Sequence, residues 1–557
     1  MRRLTLPAAA GLALLAGCSA FKPGVEVTAL VGSALSDVCN QTAERLTRDQ
    51  QRLADGTVIG LRCRAMGSGD VVTEVVEAAR AVHNGSRSAD DPTIPTLISL
   101  DGDLEQDQLQ YLVQQIAPNA DWIPSTTDSP AFASSPMVLM TTADLADGLN
   151  DLENPYTALT TASTHRELAP GSAALPIRFV HTAPTRSNSG LQTLVSQYVA
   201  VSGKPAERLT LADVRANTGK VKAIQSKITR YGASTGGLAK AMVQNGPFWA
   251  SIASVYESSV VASNRSRPAG QSPYVAIYPK ATFTSTMRLI LPTGPWVSEQ
   301  EREAVQVLSD YMLKPAVQEL VADIGLRPAN PAVTASQILP SNGVDSKARY
   351  EALRSPRPEV VQAMIQAWLV AAKKSSRVAL VVDSSGSMQG AKLAAVQSSL
   401  MRYLSQIGVN DTVALIDFDS RIQKPVVVDG SDAGQQRGQA FLSGLKADGG
   451  THLHDAVLAG RNWLKQTGQK EEILAVVVLT DGRDQGSTTT LSTLQEELRR
   501  SGFEGDDRIA VFSVGYGDAG AFDASTLQAL ADGNGGDYLQ GTPDTIRSLL
   551  NNLQLSF

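Results

Sequence analysis

The chain has 557 residues, more than a single core supports, so at about 150 residues per domain it should divide into three or four domains. Hydrophobic residues make up 43% and charged residues 19%, with aromatics at only 5%, which fits soluble α/β domains better than a disordered or membrane-spanning chain. A formal net charge of −6 and the lack of any long basic block exclude the electrostatic footprint that nucleic-acid binding requires. At the start of the chain, Arg2 and Arg3 precede an apolar run from Leu4 to Leu15, which reads as a secretory signal too short to span a bilayer.

The run ends at Leu15-Ala16-Gly17-Cys18, which resembles the lipobox of bacterial lipoproteins. That resemblance implies cleavage after residue 17, diacylation of Cys18 and a mature chain tethered to the membrane from its outer side, since several acyl chains together hold a protein stably. Cys39 and Cys63 are then left as an even pair in an exported protein, and they are expected to be bonded; two buried thiols are the alternative.

Val25–Val31 reads as a strand, Ser36–Leu46 as a helix, Thr57–Ala65 as a strand and Val71–Val82 as a helix, a βαβα alternation that favours a parallel sheet with helices on its faces. Gly67-Ser68-Gly69 between the second strand and helix exposes backbone N–H groups suited to an anion, although a tight turn with Ser68 as N-cap fits as well. The arrangement recurs where strand Pro176–His181 enters Thr185-Arg186-Ser187-Asn188-Ser189-Gly190 and the helix Leu191–Val199. Two polar turns of one type suggest two lobes. The segments Met66–Gly69, Asp121–Ser125, Ser187–Gly190, Tyr274–Pro279, Pro295–Val297 and Gln318–Pro328 together resemble periplasmic solute-binding proteins with two α/β lobes joined by crossing strands. The resemblance covers residues 24–335 and implies a cleft for a small anion or other solute, with Ser68, Gly69, Ser187, Asn188 and Ser189 as candidate contacts.

Residues 336–375 are expected to be a linker and a connecting helix, because Ala329–Arg357 turns to Pro, Ser and Asn, whereas Pro358–Ala372 carries Val361, Met364, Ile365 and Trp368 on one stripe. A new alternation fills residues 376–557: strand Val378–Val382, helix Lys392–Ile407, strand Thr412–Phe418, an edge-like Ile422–Val428, strands Ile473–Leu479 and Ile509–Val514, and helix Thr545–Leu553. The runs at 378 and 473 are almost continuously apolar, as strands covered on both faces are, so the expected fold is a doubly wound, Rossmann-like α/β domain.

Asp383 and Asp481 stand at the carboxyl ends of those two strands, where such sheets bind ligands. Asp383-Ser384-Ser385-Gly386-Ser387, Thr451 and Asp481 match all five positions of the metal-ion-dependent adhesion site of von Willebrand factor A domains. The resemblance implies Mg²⁺ or Mn²⁺ bound by Ser385 and Ser387, with Thr451 joining in one conformation and Asp383 and Asp481 acting mostly through water. Mg²⁺ suits hydroxyls because it is small and hard and takes octahedral oxygen ligands at roughly 2.0–2.1 Å. A first shell short of anions leaves a coordination position for a carboxylate from a protein partner. His452 and His454 are expected to pack or face solvent, and Asp417 and Asp419 to be solvated or to cap loops; with no general base placed by motif, no enzyme is expected. The expected function is an extracytoplasmic, lipid-anchored adhesion protein. The alternative is a transporter's substrate-binding receptor that uses the A domain for docking.

Overall fold

In the computed structural model, which describes residues 24–557 apart from 503–507, 518, 519, 521, 533, 544, 555 and 556, strand Val25–Gly32 is the centre of a parallel three-stranded sheet. The expected signal and Cys18 lie outside the described residues. Alternate side chains of this strand serve two cores: Val27, Ala29 and Val31 pack with helices Ser36–Asp49, Glu299–Met312 and Pro315–Asp323, while Leu30 packs with helices Ser68–His83 and Asp103–Ile116. The second strand runs Ile59–Met66, two residues later than expected. Thr57 donates its N–H to Asp55 Oδ1 at 2.8 Å in a turn through Gly56, which has a positive φ of 89°. Cys39 and Cys63 are bonded, tying helix Ser36–Asp49 to this strand.

The strand Ala131–Thr142, 12 residues long, runs from one lobe into the other. Its first half pairs with Thr284–Arg288 and Arg327–Pro328, its second half with Ile252–Tyr256 and Tyr274–Ile277. In the second lobe, Phe179–Thr182 lies parallel to Ile228–Gly232 and to Ile252–Tyr256. The expected two-lobed α/β arrangement with a crossing strand is therefore present.

Ala329–Arg357 has the composition of a linker but does not hang free. Ile338 and Val344 are buried in the core of the second lobe, and Glu351–Ala352 pairs with Ala281–Thr282. A few apolar side chains among polar ones suffice to lay the segment on the lobe, which composition averages conceal. Helix Pro358–Ala367 follows and buries Val360, Val361 and Met364 before closing in a π turn over Trp368–Ala372. It touches both lobes: Gln362 Nε2 donates to Gln108 Oε1 at 2.7 Å in the first, and Trp368 Nε1 donates to Gln225 Oε1 at 3.1 Å in the second.

The third body is a six-stranded sheet in the order Val426–Asp429, Thr412–Phe418, Ser376–Asp383, Ile473–Thr480, Ala510–Tyr516, Tyr538–Gly541, parallel except at the first edge. Val378, Leu380 and Val382 face the core under helices Ala391–Ser405 and Ile546–Gln554; Ala379 and Val381 face the opposite core under helices Leu453–Thr467 and Leu491–Arg500. This is the expected doubly wound layout. The edge strand is shorter than the expected Ile422–Val428, because Pro425 has no N–H to donate and Ile422 makes only an isolated bridge to Phe418.

The third body shares a continuous core with the second lobe, in which Tyr231, Trp368, Phe512 and Phe557 are all buried. Arg230 clasps the joint: it donates to Gly535 O at 3.1 Å and Asp537 Oδ2 at 2.7 Å, with its guanidinium carbon 4.5 Å from the Phe512 ring centroid. Among the described residues, no helix is long and apolar enough to cross a membrane.

Candidate metal centre

Strands Ser376–Asp383 and Ile473–Thr480 are parallel with Val382 opposite Leu479, so their carboxyl ends finish side by side. Thr412–Phe418 flanks the first strand on its other side, which makes this the point where strand order reverses. Helix Ala391–Ser405 leaves toward one face and helix Leu453–Thr467 covers the other. The crevice between them holds Asp383, Ser385, Ser387, Thr451 and Asp481.

Three of the five side chains meet directly, and a fourth, Asp383, holds the backbone of the serine turn. Ser385 Oγ and Ser387 Oγ are 3.1 Å apart, and Ser387 Oγ donates to Asp481 Oδ1 at 2.6 Å. Asp383 is completely buried; its Oδ1 accepts from the Ser385 N–H at 2.8 Å and its Oδ2 from the Thr480 hydroxyl. Burial pushes the Asp383 carboxyl up to about 6, against the pull of the Ser385 and Thr480 hydrogen bonds and with a further push from Asp481. Thr451 is buried beside Gly482: a methyl group added to that glycine would stand 3.0 Å from Thr451 Oγ1. The Thr451 loop is fastened to the serine turn, Asp448 N–H donating to Ser384 O at 2.9 Å and Gly386 N–H to Gly449 O at 3.1 Å. From the other side Gln485 N–H donates to Thr451 O at 2.7 Å.

The donor set suits a hard cation. All five groups offer oxygen, and bonds of roughly 2.0–2.1 Å at right angles place neighbouring ligand oxygens about 3 Å apart, close to the serine pair here. Among the described residues no group of three or more His, Cys, Asp or Glu side chains is placed to hold a metal ion.

Neighbouring polar residues divide. Asp419 caps its loop, Oδ1 accepting from the Arg421 N–H at 2.6 Å. Asp417 differs from the expectation of a solvated or capping group: its Oδ1 is buried with no partner among the described residues, and burial raises its pKa. His454 is held away from the crevice by contact with Thr489 O at 3.1 Å, and His452 Nε2 lies against Gly486. Two residues that sequence reasoning passed over also shape the centre. Thr480 holds Asp383, and Lys392 pairs through Nζ with Asp481 Oδ2. Thr480 could have been found from its place immediately before Asp481 at the strand end, whereas Lys392 carried no signal beyond opening a helix.

In the front half, Ser68, Ser187, Asn188 and Ser189 are buried in the seam between the lobes. Gly69 N–H donates to Arg186 O across it at 3.0 Å, and Asn188 Nδ2 donates to Asp101 O at 3.1 Å. Ser68 does not cap its helix; its Oγ accepts from the Asp101 N–H at 3.1 Å. Arg186 bridges lobes and third body, donating from Nε to Asp70 Oδ2 at 2.6 Å and from Nη1 to Asn551 O at 3.4 Å. Asp101 Oδ1, Glu105 Oε1 and Asn188 Oδ1 are buried without partners among the described residues. Burial pushes Asp101 up to about 7 and Glu105 up to about 8, the latter helped by Asp101 and Asp70. The open space lies at the seam's edge, a cavity of about 610 Å³ lined by Ser33, Ser234, Lys240, Tyr256, Ser259 and Ser263 among others. None of these six was singled out from sequence.

Comparison with known proteins fits both halves. The family model for bacterial extracellular solute-binding proteins matches residues 51–345, more than half of the chain. The chain belongs to this family. A second family model, the von Willebrand factor type A domain, matches residues 378–483, so the solute-binding region is followed by an A domain. Inter-alpha-trypsin inhibitor heavy chain H4 of Bos taurus is 30% identical over 168 residues, 28% of this chain and 18% of that protein. The Homo sapiens heavy chain H4 is also 30% identical over 168 residues, covering 28% of this chain and 17% of its own length. This chain thus spans less than a fifth of these curated relatives. Among solved structures, the sulfate-binding protein SubI from Mycobacterium tuberculosis H37Rv is 16% identical with a TM-score of 0.38, covering 62% of this chain and 96% of its own. The von Willebrand factor type A protein from Catenulispora acidiphila is 16% identical with a TM-score of 0.29, covering 33% and 43%.

Proposed function

We propose that the protein is a non-catalytic, lipid-anchored binding and adhesion protein on the outer side of a bacterial membrane, whose A domain grips an acidic protein partner through Mg²⁺ or Mn²⁺. The observation that carries this is the convergence of Ser385, Ser387 and Asp481 beside buried Asp383, with Thr451 on a loop fastened to the same turn. Ser385 and Ser387 would hold the cation directly, Thr451 would join by a small loop movement, and Asp383 and Asp481 would orient hydroxyls and water around it. When bound, the ion supplies a Lewis-acid position that a partner's carboxylate completes. Asp383 is suited to an orienting role because both its oxygens are already engaged by Ser385 and Thr480.

The fused core favours a single rigid unit in which the solute-binding region supports the A domain and offers a second recognition surface. A second reading, a transporter's receptor that docks through its A domain, is favoured by the cavity of about 610 Å³ at the lobe edge. Thermal shifts with phosphate, sulfate, molybdate and sugars separate the two: a shift with any one supports a receptor, none supports a structural front half. For the metal centre, calorimetric titration of the wild type and Asp383→Ala with MgCl₂ and MnCl₂ is decisive. Binding by the wild type and its loss in a folded Asp383→Ala is expected, and equal binding by both would rule the centre out.

A further inference from the structure

Lys392 stands in the first turn of helix Ala391–Ser405, where the helix dipole disfavours a cation. Something else must hold it there. Its Nζ pairs with Asp481 Oδ2 and lies 3.5 Å from Ser387 O. The Asp481 side chain has 0% exposure and that of Lys392 has 34%, so the ammonium is the positive partner of a carboxylate entirely removed from water. The other oxygen of Asp481 accepts from Ser387. Both oxygens are thus engaged, one by a hydroxyl offered to the cation and the other by a charge already in place. The lysine stem runs past Gly517, close enough that a methyl group there would touch its Cε and Nζ at 3.7 Å.

We propose that Lys392 is a built-in competitor of the metal: its ammonium neutralises Asp481 when no ion is bound and must withdraw toward solvent for an ion to enter. This rests on the metal-site reading above and adds what sets its affinity. Two positive charges cannot both sit against Asp481 without strong repulsion, because buried charges are poorly screened. Lys392 therefore weakens metal binding and, in the metal-free protein, spares Asp481 an unpaired burial.

Lys392→Met keeps the apolar stem and removes the charge, Lys392→Gln is a second neutral variant should that one fold poorly, and Lys392→Arg keeps the charge. Titration of each full-length protein with MgCl₂ should show about tenfold tighter binding for the neutral variants and near wild-type affinity for Lys392→Arg. Without metal the neutral variants should melt lower than the wild type, and saturating MgCl₂ should close the gap. Binding by the neutral variants but not by the wild type would support the competitor role in its strongest form. Unchanged or weaker binding by the neutral variants, with the wild type binding normally, would overturn the role of Lys392 and leave the metal centre standing. No binding by any variant would overturn both.

Discussion

Trp368→Ala tests whether the connecting helix fastens the A domain to the solute-binding region. Trp368 is 1% exposed, sits edge-on to Tyr231 with ring centroids 5.3 Å apart, and donates to Gln225 Oε1 at 3.1 Å. Emptying a buried tryptophan site costs about 3–5 kcal/mol through lost transfer energy and the cavity left behind. The hydrogen bond adds no more than about 1 kcal/mol, since Tyr231 OH still donates to Gln225 Oε1 and leaves no orphaned acceptor. A loss of about 4 kcal/mol is expected, a large part of the about 5–15 kcal/mol typical of a folded domain. Trp368 lies where the second lobe, the connecting helix and the A domain share one core, so the loss should also uncouple them. Scanning calorimetry and urea unfolding followed by circular dichroism should show one transition in the wild type and two in the variant, with new protease cuts near residues 368–375. A loss below about 1 kcal/mol with a single unchanged transition would refute the account of a shared core.

Two further outcomes concern the seam between the lobes. In Gly69→Ala the new Cβ would stand 2.3 Å from Thr185 O, a backbone atom, so the lobes must part; a cost of about 1–3 kcal/mol and a larger radius of gyration by X-ray scattering are expected, and an unchanged radius would show that the seam is loose. Asp101 and Glu105 are raised by burial to about 7 and about 8, so the folded protein binds more protons than the unfolded chain in that range; their contribution is complete below about pH 4 and is lost as pH rises through 7 and 8. Between pH 6 and 9 stability should therefore fall by about 4 kcal/mol in the wild type and much less in Asp101→Asn/Glu105→Gln, as urea midpoints would report; equal slopes would place the titration elsewhere.

The candidate metal centre was legible because its residues sit at or beside strand ends whose apolar runs are unmistakable. Val378–Val382 and Ile473–Leu479 can only be covered strands, and a parallel sheet brings their carboxyl ends together whatever lies between. Lys392 was not legible, since nothing in a helix's opening residues says which way a flexible stem will lie. In the front half, the polar turns at Gly67–Gly69 and Ser187–Gly190 were visible, but whether they line an open cleft or close on one another depends on how far the lobes rotate. Here they close, and the open cavity lies beside Ser33 and Ser234.

Local pattern alone determined the βαβα alternation at the start of the chain, the doubly wound layout of residues 376–557 and the oxygen-rich turn, because each depends on residues a few positions apart or on the fixed geometry of a parallel sheet; the two lobes and the cysteine pair came by resemblance to known families. Tertiary structure alone decided that Ala329–Arg357 lies against the second lobe, that Trp368 and Arg230 weld the A domain to it, and that Asp101 Oδ1 and Glu105 Oε1 are buried with no hydrogen-bond partner among the described residues. Those outcomes depend on which surfaces meet, and a side chain's partner across hundreds of residues leaves no period or spacing in the chain to be read.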